Sequence, residues 1–147
     1  MGDVAGAILT GSARGAALNA HAPYSRFAVG AAVLLSDGAI ITGANMENAS
    51  YGLSLCAETV AIAAASAQGR LADIVAIGVA GGKLRGGALT GTEVVRPCGR
   101  CRQILNEAAQ TGGLDIAVHC ASGDGKTVER HMLSALLPYA FGPDDLS

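Results

Sequence analysis

Cysteines at positions 56, 98 and 101 and a glutamate at 58 stand in two short runs, Cys56-Ala57-Glu58 and Pro97-Cys98-Gly99-Arg100-Cys101. Thiolates at such spacing bind zinc. A structural zinc closes with four protein ligands, whereas a catalytic one keeps three and leaves a position for water. A carboxylate two residues from a ligand can move that water's protons. The expectation is a catalytic zinc site with Cys56, Cys98 and Cys101 as ligands and Glu58 as proton shuttle. On spacing alone a second reading stays open, because Cys120 could complete a closed four-cysteine structural site.

Three thiolates around a divalent cation leave a net negative charge, which opposes the ionisation of water unless positive partial charges offset it. Helix N-termini offer such charge and lower thiol pKa values. Arg100 and Arg102 are further candidates. A zinc site with a mobile proton on Glu58 suits hydrolytic removal of an amino group.

The elements that must position these groups follow from the pattern of apolar residues. Val4 to Ala20 has helical spacing. Phe27 to Leu35 reads as a strand, Asp37-Gly38 as a two-residue hairpin turn and Ala39 to Gly43 as the return strand. Asn45 to Ser54 has loop composition. Cys56 to Ala67 and Cys98 to Ala109 read as helices, the second behind Pro97, so that the cysteines open both. Ile74 to Ala80 is a β-branched strand, and Gly81 to Gly91 reads as a flexible surface loop. Ile116 to Cys120 is a further strand, Thr127 to Glu129 a short edge strand, and Met132 to Leu137 a helical turn or two. Helices alternating with strands after a hairpin predict a layered α/β fold on a mixed sheet.

The envelope excludes several classes. At 147 residues with 50% hydrophobic composition the chain is one domain's worth, residues 1–147, and can build a core without disulfides. Ten Lys and Arg against 12 Asp and Glu give a net charge of -2, which argues against a grip on nucleic acid and for a small, weakly charged substrate. No signal pattern or long apolar run appears, so a soluble, cytoplasmic protein with no membrane partner is expected. Reduced cysteines belong to that compartment. His21, His119 and His131 lack ligand spacing to the cysteines, and Arg26, Lys83 and Arg85 read as solvated charges.

Longer motifs narrow the chemistry. Pro23-Tyr24-Ser25-Arg26-Phe27-Ala28-Val29-Gly30-Ala31-Ala32, Gly43 to Gly52 (GANMENASYG), the two cysteine runs, and Leu137-Pro138-Tyr139-Ala140-Phe141-Gly142-Pro143 together resemble the small homotetrameric cytidine deaminase family, within the zinc-dependent nucleoside deaminases. The resemblance covers nearly the whole chain. It implies a three-layer α-β-α fold with a mixed five-stranded sheet, a bound Zn2+, and deamination of cytidine and 2'-deoxycytidine in pyrimidine salvage. It also implies that Asn45 and Glu47 hold the sugar hydroxyls, that Phe27 lies against the pyrimidine face, and that the backbone of Ala57 meets the base. Tyr51 and Phe141 would reach the pocket of a neighbouring subunit in a homotetramer. Cys120 then reads as a buried strand thiol rather than a fourth ligand.

One position departs from the family pattern. An Arg that often follows the glutamate, where it can hydrogen-bond the ligand thiolates, is replaced by Thr59. Arg96, where the family usually carries a small residue, is a candidate for the missing cation. Blasticidin S deaminases share the Cys-Ala-Glu and Pro-Cys-Gly-Arg-Cys-Arg-Gln runs and supply an alternative substrate class, against which the Asn45 to Gly52 segment argues. A polynucleotide-editing module is disfavoured by the acidic balance, and a catalytically dead zinc protein by the intact Glu58.

Overall fold

The computed structural model describes residues 2–147. In chain order the main elements are α1 (Gly2–Ala17), β1 (Ala28–Leu35), β2 (Ile40–Ala44), α2 (Ala57–Ala67), β3 (Ile74–Arg85), β4 (Ala88–Thr90), α3 (Gly99–Gly112), β5 (Ala117–Ala121), β6 (Val128–Met132) and α4 (Leu133–Leu136). The main sheet runs β2-β1-β3-β5-β6, with the short β4 added beyond this path on β3. β3 and β5 are parallel and the other pairs antiparallel. This is the mixed five-stranded sheet that was expected, plus a sixth short strand.

Period-two alternation divides each central strand between two faces. Ala31, Val33 and Leu35 of β1, Ile77 and Val79 of β3, and Val118 and Cys120 of β5 form one core with Ala57, Ala61, Ile62 and Ala65 of α2 and Leu105, Ala108 and Ala109 of α3. The intervening positions face α1 and are mostly small: Ala28, Ala32, Ala76, Ala80 and Ala121 are buried around Leu9, Ala13 and Ala17, with Leu34 and His119 the larger members of this face. Helices therefore cover both sides of the sheet, which gives the three layers.

Glycine on the α1 side sets the spacing. A Cβ added at Gly30 would stand 1.8 Å from the Ala13 carbonyl oxygen and 2.6 Å from the Ala17 nitrogen, and one at Gly78 would stand 2.6 Å from the backbone of Leu9. The helix backbone thus rests directly on the sheet, at a separation that no larger residue at these positions permits.

The segment read as a flexible loop from Gly81 to Gly91 is instead ordered strand. β3 continues to Arg85, turns at Gly86-Gly87, and returns as β4, with Lys83 opposite Thr90 and Arg85 opposite Ala88. Both turn glycines have positive φ, 57° and 77°, the backbone that a two-residue hairpin matched to strand twist demands. Smaller shifts occur elsewhere. α1 ends at Ala17 rather than Ala20, since Leu18, Asn19 and Ala20 donate to carbonyls three residues back and tighten the chain out of the helix. Met132, expected to open a helix, closes β6.

Candidate metal centre and active site

Cys56 and Cys98 are not in the first turns of their helices but are the N-cap residues, with extended backbone (ψ 153° and 167°) and no hydrogen bond from their side chains to the helix amides. An N-cap side chain normally accepts from those amides. Here the sulfurs are directed toward each other, at the positive ends of two helices whose dipoles favour thiolate. Cys101 lies one turn on, at the third helical position of α3, and is buried.

The three Sγ atoms lie within 4.8 Å of one another, and those of Cys56 and Cys98 are 3.8 Å apart. A tetrahedral zinc with Zn–S bonds of about 2.3 Å requires S···S separations of about 3.8 Å. Donor type, number and spacing therefore fit zinc with one position left over. Cys120 is outside this cluster among the described residues, packed into the core below it. Its placement outside the cluster, fully buried on β5, makes it a packed thiol rather than a fourth ligand, and burial pushes its pKa up to about 12.

Without metal, burial raises the pKa of Cys56 and that of Cys101, each raised further by Glu58. Cys98 is also partly desolvated, but hydrogen bonds from the Cys101 amide and thiol outweigh this and lower it. Glu58, at the second helical position of α2 and 4% exposed, has its carboxyl raised by burial. A desolvated carboxyl of this kind picks up a proton near neutral pH more readily than a solvated one.

A cavity of about 250 Å3 opens over the cluster. Its wall brings together Asn45, Glu47, Cys56, Ala57, Glu58 and Cys98 from the expected set, with Val29, Ser54, Leu55, Val95 and Arg96 added. The 45–47 segment is extended, paired through Met46 with Leu55 and flanked by His21, so that Asn45 and Glu47 face the same side. Asn45 Oδ1 accepts from the Val29 amide at 2.9 Å, and its Nδ2 donates to the Phe27 carbonyl at 2.9 Å. The Glu47 carboxylate accepts from the Ser25 hydroxyl (2.5 Å) and from the amides of Ser25 (3.1 Å) and Tyr24 (3.0 Å). These bonds, the Ser25 hydroxyl foremost, hold Glu47 below the usual carboxylate range. Ser25 and the apolar wall residues Val29, Leu55 and Val95 carried no chemical signal of their own in the sequence.

Phe27, Tyr51 and Phe141 do not line this cavity. Phe27, 38% exposed, borders a separate depression with Gly81 and Gly82. Tyr51 is 73% exposed and stacks edge-on with Tyr24 at 5.6 Å. Phe141 is 61% exposed, and its carbonyl accepts from Gln103 (2.7 Å) and Asn106 (3.1 Å).

The cation expected to replace the missing arginine is engaged elsewhere. Arg96 makes a two-point ion pair with Glu129, at 2.9 and 2.6 Å. Arg102 donates to the carbonyls of Pro97 and Leu136. It is the Thr59 hydroxyl that stands beside the ligands, 3.4 Å from Cys101 Sγ, where it can donate to a thiolate.

A mixed sheet with helices on both faces, two of them bringing three thiols and a buried carboxyl together beside one cavity, defines a zinc-dependent hydrolytic enzyme of layered α/β build. Residues 9–112 match the family described as the cytidine and deoxycytidylate deaminase zinc-binding region. A cytidine deaminase of Mycobacterium tuberculosis is 43% identical over 99% of this chain and 96% of its own. One from Halalkalibacterium halodurans is 43% identical over 87% of each. Among solved structures, cytidine deaminase from Burkholderia pseudomallei superimposes with a TM-score of 0.78 at 38% identity, over 91% of this chain and 97% of that one. The M. tuberculosis enzyme gives 0.71 at 40% identity, over 92% and 95%. The chain belongs to the cytidine and deoxycytidylate deaminase family.

Proposed function

We propose that this protein hydrolyses the 4-amino group of cytidine and 2'-deoxycytidine, yielding uridine or 2'-deoxyuridine and ammonia, as a step of pyrimidine salvage in the cytoplasm. The observation that carries the reading is the placement of a buried carboxyl, Glu58, in the wall of the same cavity as Cys56 and Cys98, whose sulfurs are 3.8 Å apart, with the Cys101 sulfur within 4.8 Å of both. Zinc, when bound, supplies a Lewis acid that makes water acidic enough to attack near neutral pH. Cys56, Cys98 and Cys101 hold it.

Glu58 accepts a proton from the attacking water, delivers it to ring N3, and passes the second to the departing amine. The C4–O bond forms, the C4–N bond breaks, and cytosine plus water becomes uracil plus ammonia. Burial suits Glu58 to this traffic, because a raised pKa brings the acid and base forms within reach of each other. The Ala57 amide, first in α2, has no partner within its helix and is free to meet the base.

Asn45 and Glu47 bind the sugar hydroxyls. Their present partners use only part of their capacity, since an amide offers two donors and a carboxylate about four acceptor positions. Phe27 serves the pyrimidine face. The cavity, about 250 Å3, falls below the roughly 300 to 1,000 Å3 of typical ligand sites. Exposed Tyr51 and Phe141 are the residues with which neighbouring copies complete it in a homotetramer. Residues 1–147 act as one catalytic unit. No helix among the described residues is long and apolar enough to cross a membrane.

The test is ammonia release from cytidine, 2'-deoxycytidine, cytosine and blasticidin S by zinc-loaded protein, beside Glu58→Gln with zinc measured in both. Turnover of both nucleosides, lost in the variant with zinc retained, supports the reading. Silence on the nucleosides with turnover of blasticidin S replaces it. A monomer in sedimentation would remove the shared pocket.

A further inference from the structure

The two halves of the metal centre are held by different means. Cys56 follows Leu55, whose amide and carbonyl both pair with Met46 at 2.9 and 3.0 Å, so backbone pairing fixes its approach. Cys98 is exposed and follows an irregular segment. Its backbone is joined to the end of β5 through the Val94–Ser122 bridge and one long bond, 3.3 Å, from the Val95 amide to the Ala121 carbonyl. The next two residues are held by side chains instead. Arg96 is gripped at two points by Glu129 on β6, at 2.9 and 2.6 Å. The Pro97 carbonyl accepts from Arg102 Nε at 2.8 Å, while the same guanidinium reaches the Leu136 carbonyl at 3.0 Å. Glu129 is itself fixed by His131 Nε2 at 2.9 Å and sits opposite Cys120 in the β5–β6 register.

A two-point arginine–carboxylate fork sets orientation as well as distance. This one joins the edge strand to the residue two before a ligand whose sulfur must hold 3.8 Å to Cys56. It is also partly exposed, at 45% and 32%, so solvent screens its attraction, and the melting temperature of the zinc-free protein measures what the fork gives the fold apart from what it gives the metal. Its geometric role is therefore separable from stability.

We propose that Glu129 is a positioning residue for the metal centre: through its fork on Arg96 it fixes the Pro97–Cys98 corner, so that its loss weakens zinc binding rather than folding. The proposal rests on the three-cysteine zinc reading. Partners that orient metal ligands from outside are worth roughly 10- to 100-fold in metal affinity.

The experiment measures the zinc dissociation constant by competition with a chromophoric chelator, and the melting temperature of the zinc-free protein. The proteins are wild type, Glu129→Gln, Arg96→Ala, the double variant and Cys98→Ser. Glu129→Gln and Arg96→Ala are each expected to weaken zinc about 10-fold or more, with zinc-free melting close to wild type. The double variant is expected to be no weaker than the worse single one, because the two residues act as a unit. Zinc affinity within about twofold of wild type in both single variants would overturn the proposal. So would additive losses, or losses that track a fall in zinc-free melting temperature. Cys98→Ser separates the two levels: wild-type zinc affinity in that variant sinks the zinc reading itself, whatever the others do.

Discussion

The two faces of the sheet solve different problems with the same strands. On the α2/α3 side, Val33, Ile77, Val79 and Val118 of the central strands fill the space between sheet and helices, α2 closes onto the sheet backbone at Gly43 of the edge strand β2, and the helix N-termini present Cys56, Glu58, Cys98 and Cys101. On the α1 side, Ala28, Gly30, Ala32, Ala76, Gly78 and Ala80 strip the sheet of bulk, and the α1 backbone settles onto it. One face holds chemistry at its helix ends. The other holds none, and its energetics lie in contact too close to admit a methyl group. Lesions on the first should therefore appear in activity and metal content, and lesions on the second in stability.

Four substitutions, ordered from large effect to small, can break that division. Glu58→Gln should lower kcat by about 10²- to 10⁴-fold or more, through loss of general acid–base catalysis, with zinc retained by elemental analysis. Its stability effect has the opposite sign. The folded-state pKa of Glu58 is raised by burial, so the ionised side chain is unfavourable above the model-peptide value and the protonated one is tolerated below it. Zinc-free Glu58→Gln should then melt higher than zinc-free wild type at pH 7, and the gap should close as pH falls below about 4.5. A lower melting temperature at pH 7 would mean that the site also carries fold stability.

Gly30→Ala comes next. Its added Cβ would meet the Ala13 carbonyl oxygen at 1.8 Å, which is backbone and cannot swing aside. Overpacking of this kind costs about 3 kcal/mol, to be read from denaturant midpoints, while the folded fraction keeps normal zinc content. Thr59→Val removes the hydroxyl beside Cys101 and should weaken zinc about 10-fold with kcat of loaded enzyme nearly unchanged. Ile77→Val, on the bulky face, deletes one methylene from an ordinary core and should cost only about 1 kcal/mol. If Ile77→Val proved as damaging as Gly30→Ala, the contrast between the faces would fail.

Much of the metal centre was legible because its residue types are rare and their spacing is dictated by helix geometry. Cys98 and Cys101 are brought together by one turn of α3, and Glu58 is carried by the helix that Cys56 caps. Asn45 and Glu47 were readable as neighbours, since an extended segment points alternate residues one way. Arg96 was misread because a cation's partner is set by tertiary placement, and Glu129 lies 33 positions away. The β3–β4 hairpin was hidden by its own glycines, which supply both the turn and the close approaches of its strands but in composition resemble a loose loop. Tyr51 and Phe141 have no place in the cavity of a single chain, so intrachain packing lends their assignment no support. Nor could the sequence say which face would be the thin one, because alternation separates two sets of residues without telling which helix each will meet.

The N-cap placement of Cys56 and Cys98 also bears on how the protein is made. The two sulfurs are separated by 42 positions, a stretch that includes the central strand β3 and its hairpin partner β4. A nascent or partly folded chain can offer only Cys98 and Cys101 as a local pair, a weak bidentate claim on an ion. The full set exists once the middle of the sheet is threaded and both helices have begun. Because an ion that binds only the finished arrangement stabilises it by mass action, metal binding rewards completion of the sheet's middle and not its early pieces.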